Sequence, residues 1–207
     1  ENVGPMAPEQ MLFINTHHLS LNKNPLSPEA TVRYLADFGL KPENIVLEFS
    51  ERQNLHDPLL LRLAAEPYCR RGFKVSVDDV DGGQSSLRFL PQVRPHFIKV
   101  DASLVRGIDS DPFKRLMAET LLFLAKKIDA TVIAVGLETE NEFSSLISMG
   151  VRAGQGFLLS GPDTEKKEVT VQVPVGASWP RAIDSGWKCS KPVREMVEQA
   201  LTANRET

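Results

Sequence analysis

No apolar run in this 207-residue chain approaches the roughly 20 residues that a membrane-spanning helix needs. No N-terminal stretch has the order of a secretory signal. Cysteine is scarce. Cys69 and Cys189 lie far apart and lack metal-ligand spacing, so they read as two idle thiols in a reducing cytosol. Positive charge is not in excess either, and the formal net charge is -3. That balance gives no electrostatic case for duplex nucleic acid or an anionic membrane. An anionic ligand would need local cations. The chain opens on Glu1 and not on Met, so a fragment of a longer protein is expected. What is present is ordinary for a soluble globular domain, with 42% hydrophobic and 25% charged residues. The length suits one large domain, or one domain with an appendage, and allows a substantial core.

Short β-branched runs alternate with longer helical patterns, the rhythm of parallel strands joined by crossover helices. Strands are expected at M-L-F-I-N (11–15), I-V-L-E-F (45–49), F-K-V-S-V (73–77), F-I-K-V (97–100), T-V-I-A-V (131–135) and G-F-L-L (156–159). Ser27-Pro28, Asp57-Pro58 and Asp111-Pro112 each pair an N-cap residue with proline at the first helical position. Gly39 and Gly72 mark two helix ends. A short helix is expected over S-S-L-R-F-L (85–90), and another from Asn141 to Met149. In the helix after Asp111, Phe113, Leu116, Met117, Leu121, Leu124 and Ile128 form one apolar stripe. Six strands do not close an eight-stranded barrel, so an open doubly wound sheet stays in play. In the tail, Val169, Val171, Val173 and Val175 alternate like a strand with one wet face. Residues 193–203 read as an amphipathic helix that packs on the domain or a neighbour, or acts in signalling.

Ligands of parallel α/β folds bind beyond the carboxyl ends of the strands. Asn15, Glu48 with Glu51, Asp78-Asp79 and Lys99 sit at four such ends. Glu138 follows the fifth strand and Gln155 precedes the sixth. One strand-end Asp or Asn could merely cap the next helix. Recurrence at successive strands gathers oxygen donors on one rim, and clustered carboxylates need a cation or a proton. Oxygen donors of this type suit Mg²⁺ or Mn²⁺, ions that assist phosphoryl chemistry. Lys99 could offset the carboxylates or bind phosphate. Asp81-Gly82-Gly83 allows close backbone approach, as would a simple tight turn.

The order of these motifs resembles the EAL-domain family of cyclic di-GMP phosphodiesterases. I-V-L-E-F-S-E resembles the family's L-E-x-T-E strand, and V-D-D-V-D-G-G-Q-S-S-L resembles D-D-F-G-T-G-Y-S-S-L. F-I-K-V-D, V-I-A-V-G-L-E-T and G-Q-G-F-L-L-S-G-P resemble the lysine strand, V-I-A-E-G-V-E-T and V-Q-G-Y-L-F-S-R-P. F-I-N-T-H-H-L-S resembles the strand with a metal-binding Asn. The likeness covers about residues 11–162. It implies an α/β fold, a TIM-like (β/α) barrel of the EAL type, whose first strands are missing from this chain. On that basis residues 1–162 form a partial barrel domain, and 163–207 form a tail packing on it or on a partner.

The resemblance further implies Asn15, Glu48 and Asp78 as metal positions, and Asp79, Glu51, Lys99 and Gln155 as catalytic positions. Asp81, Gly82, Gln84, Glu138 and Gln155 are the expected ligand-binding set. The departures matter equally. The name-giving E-A-L segment precedes the first motif found here, so its Glu and a phosphate-binding Arg are expected to be absent. Val135 replaces the family's acidic residue, and valine can neither ligate a cation nor take a proton. Loss of one member of a catalytic unit commonly costs orders of magnitude in rate. The expectation is a degenerate domain in cyclic di-GMP signalling, a nucleotide receptor or protein-interaction module with little hydrolysis. An active phosphodiesterase in a longer protein, and an unrelated metal-dependent enzyme on a similar barrel, are the alternatives. Mg²⁺ or Mn²⁺ is expected only if metal binding survives. Cyclic di-GMP is the expected partner, a protein partner or homodimer is possible on the exposed edges, and a bacterial cytoplasm is the expected location.

Overall fold

The computed structural model describes residues 10–17, 21, 27–51 and 57–159. The tail strand, the tail helix and Cys189 lie outside the described residues. Six strands are described: β1 (Leu12–Asn15), β2 (Ile45–Ser50), β3 (Lys74–Val80), β4 (Phe97–Val100), β5 (Thr131–Val135) and β6 (Ala153–Gln155). The helices between them are α1 (Pro28–Asp37), α2 (Pro58–Cys69), α3 (Gln84–Val93), α4 (Ala102–Val105), α5 (Pro112–Ile128) and α6 (Glu140–Met149). A single 3₁₀ turn, Pro42–Asn44, leads into β2.

All the strands are parallel, and their spatial order β1-β2-β3-β4-β5-β6 is their order in sequence. This excludes the doubly wound alternative. A doubly wound sheet reverses direction at a switch point, whereas here every crossover steps the same way. Since such crossovers are right-handed, every helix falls on one face. The sheet curls around its other face into a half-barrel, a TIM-like arrangement.

Two hydrophobic clusters follow from that curl. The larger lies between strands and helices and includes Phe49, Leu61, Phe73, Val75, Val77, Leu90, Ile98 and Leu121, all nearly inaccessible. Each such side chain contributes about 1.5–3 kcal/mol on burial. The smaller is formed by Val46, Phe97 and Ile133, with Met11, Phe13 and Ala153 against them. These are alternate residues of five strands, so they occupy the concave face. Phe13 and Phe97 meet edge to face at 5.5 Å. This layer is the floor of the half-barrel.

The helix starts follow local chemistry. Ser27 Oγ accepts from Ala30 N, Asp57 Oδ1 from Leu60 N, and Asp111 Oδ1 from Phe113 N and Lys114 N. Three expectations need correction. The apolar run 156–159 is not a strand. β6 is the preceding Ala153–Gln155, and Leu158 and Leu159 reach the main core from a turn. At Gly154 of β6 an added Cβ would lie 2.5 Å from Leu137 Cδ1, so a larger residue there would force the buried Leu137 to shift. The short helix after the D-D loop runs on through Pro91 to Val93. Burial of Leu90 and Val93 there outweighs the missing proline N–H. On α5, Met117, Leu121, Leu124 and Ile128 of the expected stripe meet the main core, but Phe113 and Leu116 are exposed, and Ala118 and Ala125 are buried where no large apolar residue marks the face. Small residues let α5 approach the sheet closely, which a large-apolar pattern does not reveal.

Candidate functional site at the carboxyl rim

Above the apolar floor, one residue pair further along each strand, the concave face turns polar. Register places Asn15 beside Glu48, Glu48 beside Ser76, and Ser50 beside Asp78. Lys99 lies beside Ile133, and Val135 beside Gln155. Two-residue alternation carries each position up from the floor: Phe13 to Asn15, Val46 to Glu48, Phe97 to Lys99, Ile133 to Val135, and Ala153 to Gln155. The sequence-derived rim is therefore one rim.

Its centre is a buried ion cluster. Lys99 Nζ donates to both Glu48 oxygens, at 2.9 and 3.0 Å. It also lies 3.6 Å from Asp78 Oδ2 and 5.7 Å from the Phe13 ring centroid. Glu48 and Lys99 are buried, while Asp78 is about a quarter exposed. Burial pushes the Glu48 carboxyl above its ordinary value, Lys99 pulls it back, and Asp78 pushes it up again. The attraction of the pair has to offset the desolvation of both ions.

Asp78 and Asp79 occupy a bulge. The register between β3 and β4 shifts between Val77 and Val80, and Asp79 has φ +62°. A bulge turns neighbouring side chains out of strict alternation, so both carboxylates serve the rim. Asp78 Oδ1 accepts from Asp79 N at 2.9 Å, and Ser50 Oγ donates to Asp79 Oδ2 at 2.7 Å. The αL conformation is one that Asp tolerates better than most residues.

The neighbouring loop is tied down by Glu51. Ser86 Oγ donates to Glu51 Oε2 at 2.7 Å, and both residues are buried. Asp81 Oδ1 accepts from Gly83 N at 2.8 Å and lies 3.3 Å from Ser86 Oγ. Gly82 does not face the rim. It is buried with φ +77°, where a Cβ would meet Leu121 Cδ1 at 3.2 Å and Met117 Cε at 3.3 Å. Gln84 is exposed at the first turn of α3. Glu138 pairs with Arg106, the C-cap residue that ends α4. Gln155 is exposed, and its carbonyl accepts from Gly136 N and Leu137 N. Asn15 is exposed at the end of β1.

Ser50 and Ser86 escaped the sequence reading. Each lies within or beside a motif already singled out, but a hydroxyl's role as a tether depends on which strand becomes its neighbour. Ser76 also went unnoticed. Its Oγ is buried without a hydrogen-bond partner on the concave face beside Glu48.

The oxygen donors suit a hard divalent cation by type, but the Lys99 ammonium already sits among them. Both Glu48 oxygens are taken by Lys99. Asp78 Oδ1 is taken by a backbone N–H, and Asp78 Oδ2 faces Lys99. Val135 contributes no donor. Among the described residues, no three His, Cys, Asp or Glu side chains gather as a metal would require. The cluster as built does not fit a divalent ion.

A curled parallel half-barrel with carboxylates at its carboxyl rim defines the class, and comparison with known proteins places it. The chain belongs to the EAL domain family, whose model matches residues 4–162. It is 31% identical over 120 residues to "Probable cyclic di-GMP phosphodiesterase PdeD" of Escherichia coli (strain K12), covering 58% of this chain and 22% of that protein. The chain thus spans about a fifth of that relative's length. It is similar to Klebsiella pneumoniae BlrP1 in a calcium and cyclic di-GMP complex, with TM-score 0.68 and 32% identity over 73% of this chain and 39% of that one. It is similar also to a standalone EAL protein of Vibrio cholerae O395 in its cyclic di-GMP-bound form. There the TM-score is 0.69 and the identity 26%, over 77% of this chain and 68% of that one. Among the described residues no helix is long and apolar enough to cross a membrane.

Proposed function

We propose that this chain is a degenerate EAL domain that binds cyclic di-GMP in signalling and hydrolyses it little. The single observation that carries this reading is the side chain at position 135. The rim keeps Asn15, Glu48, Asp78, Asp79 and Lys99, yet its fifth strand ends in Val135 beside Gln155. A ligand pocket can survive that change. A metal-assisted attack by water cannot lose a carboxylate without losing orders of magnitude in rate.

In this reading Asn15, Glu48, Asp78 and Asp79 wall the pocket, and Gln155 closes its far side. Glu51 acts through Ser86 to hold the loop that carries Asp81 and Gln84. Glu138, anchored by Arg106, braces the adjoining loop. The same reading gives the barrel domain residues 1–162, a boundary that the family match over 4–162 supports. A bacterial cytoplasmic location accords with this reading.

Calorimetry with cyclic di-GMP, beside chromatography of the nucleotide after incubation with Mg²⁺ or Mn²⁺, tests the proposal. Expected are a binding isotherm and no linear product at family-typical rates. Rapid linearisation would instead support an active phosphodiesterase, and absence of any binding would rule out the receptor.

A second reading, a protein-interaction module, is favoured by one observation. Phe113, Leu116 and Phe123 are each more than half exposed along α5. Light scattering across a concentration series distinguishes a self-associating chain from a monomer.

A further inference from the structure

We propose that Lys99 takes the place of the divalent ion at this rim, so that the site binds its nucleotide without metal. This rests on the reading of the rim as a nucleotide site and specifies how that site is neutralised.

Every carboxylate oxygen at the centre already has a partner. Lys99 Nζ holds Glu48 Oε1 and Oε2 at 2.9 and 3.0 Å, and it faces Asp78 Oδ2 at 3.6 Å. Asp78 Oδ1 holds the Asp79 N–H at 2.9 Å. A divalent ion seated between Glu48 and Asp78 would have to displace the ammonium. The displaced ammonium would remain a few ångströms from two positive charges, because the Lys99 backbone is fixed in β4 between β3 and β5. The residue is buried and its ammonium lies 5.7 Å from the Phe13 ring centroid, which limits where it can withdraw. Like charges at that separation in a partly desolvated site repel strongly.

A carboxylate at position 135 could offset that repulsion by adding a donor from the next strand but one. Valine cannot. Asn15, at the exposed end of β1, offers one neutral oxygen. The donor set is therefore one carboxylate short and already holds a cation. The solved BlrP1 complexes contain calcium or manganese together with cyclic di-GMP. What sets this rim apart from the family pattern is Val135 in place of an acidic residue.

The test uses the full chain and Mn²⁺ alone, followed by the electron paramagnetic resonance signal of the free ion. With the unmutated chain the signal should match that of buffer into the millimolar range. The Val135→Glu, Lys99→Met double substitution should bind Mn²⁺ at least about tenfold more tightly than the unmutated chain. Should that variant fail to fold, as judged by circular dichroism, the unmutated chain still decides. Its calorimetric affinity for cyclic di-GMP should agree within about twofold in EDTA and in Mn²⁺. Sub-millimolar Mn²⁺ uptake by the unmutated chain, or nucleotide binding abolished by EDTA, overturns the inference and leaves the receptor reading intact. Absence of nucleotide binding under both conditions, with no Mn²⁺ uptake, sinks the receptor reading while Lys99 keeps its place.

Discussion

His96 completes the ladder between β3 and β4 with its side chain. The imidazole Nδ1 accepts from Val75 N at 3.0 Å, while the His96 N–H donates to Val75 O at 2.8 Å. One residue thus closes both ends of a backbone pair at the floor of the half-barrel. The bond to Nδ1 requires a lone pair there, so it exists only in the neutral ring. Burial first, and the nearby Lys74 charge second, lower the His96 pKa from 6.5 to about 4.

Stability should therefore depend on pH in a defined window. Above about pH 6.5 the ring is neutral in both the folded and unfolded chains, and the bond contributes fully. As pH falls, the unfolded chain takes up a proton that the folded chain refuses. Stability declines through the folded value near 4, by about 3 kcal/mol in all. Urea unfolding midpoints between pH 7 and 4 measure this. His96→Gln should flatten the slope, and an unchanged slope in that variant would assign it to other groups.

The Glu48–Lys99 pair predicts non-additive substitution. Glu48→Gln leaves the buried ammonium with Asp78 alone and should cost about 2–4 kcal/mol. Lys99→Met leaves two carboxylates facing each other and should cost at least as much. Combining Glu48→Gln with Lys99→Met should cost less than the sum of the two, by more than about 1 kcal/mol. A thermodynamic cycle from urea melts reads this coupling directly. Additive losses would mean that the pair contributes no coupling.

Asp79 carries backbone strain in the bulge that aims the rim. Asp79→Asn can keep both the αL backbone and an acceptor for Ser50, and should change stability by under about 1 kcal/mol. Asp79→Val offers neither and should cost about 2 kcal/mol or more. Thermal melts of the two variants decide this. Equal losses would show that the positive φ is not what selects Asp here.

Glu142 ties two loops together. Its carboxylate accepts from Gly107 N at 2.8 Å, Thr139 N at 3.0 Å and Glu138 N at 3.1 Å. Burial opposes its charge, but these N–H groups outweigh burial and hold its pKa below the ordinary value. Glu142→Ala should cost about 1–3 kcal/mol by stranding them. The loss in Glu142→Gln should shrink as pH falls below about 4.5, because the native carboxylate then loses its advantage too. Hydrogen exchange at the amides of Gly107 and Glu138 would locate the effect.

Much of the fold was legible because it rests on local chemistry. Ser27-Pro28, Asp57-Pro58 and Asp111-Pro112 announce helices through capping alone. The alternation Phe13–Asn15, Val46–Glu48 and Phe97–Lys99 already separates a floor layer from a rim layer, since residues two apart in a strand share a face. The order of the motifs was enough to suggest the EAL family.

Other features could not be read there, for reasons of packing and neighbourhood. The three-residue strand Ala153–Gln155 has no apolar signal, because Gly154 lies against Leu137 and Gln155 is polar and exposed. The burial of Ala118 and Ala125 ahead of Phe113 and Leu116 depends on how near α5 comes to the sheet. Position 135 is a single letter in the sequence, and its reading as a lost acidic position rests on the family resemblance. That Lys99 had closed on both oxygens of Glu48 was not legible, since those residues lie fifty-one apart and meet only when strands two places away curl toward each other. The sequence alone put Asn15, Glu48, Asp78 and Lys99 at successive strand ends. Tertiary structure decided which of them neutralise one another, because charge pairing depends on distances that only the curled sheet sets.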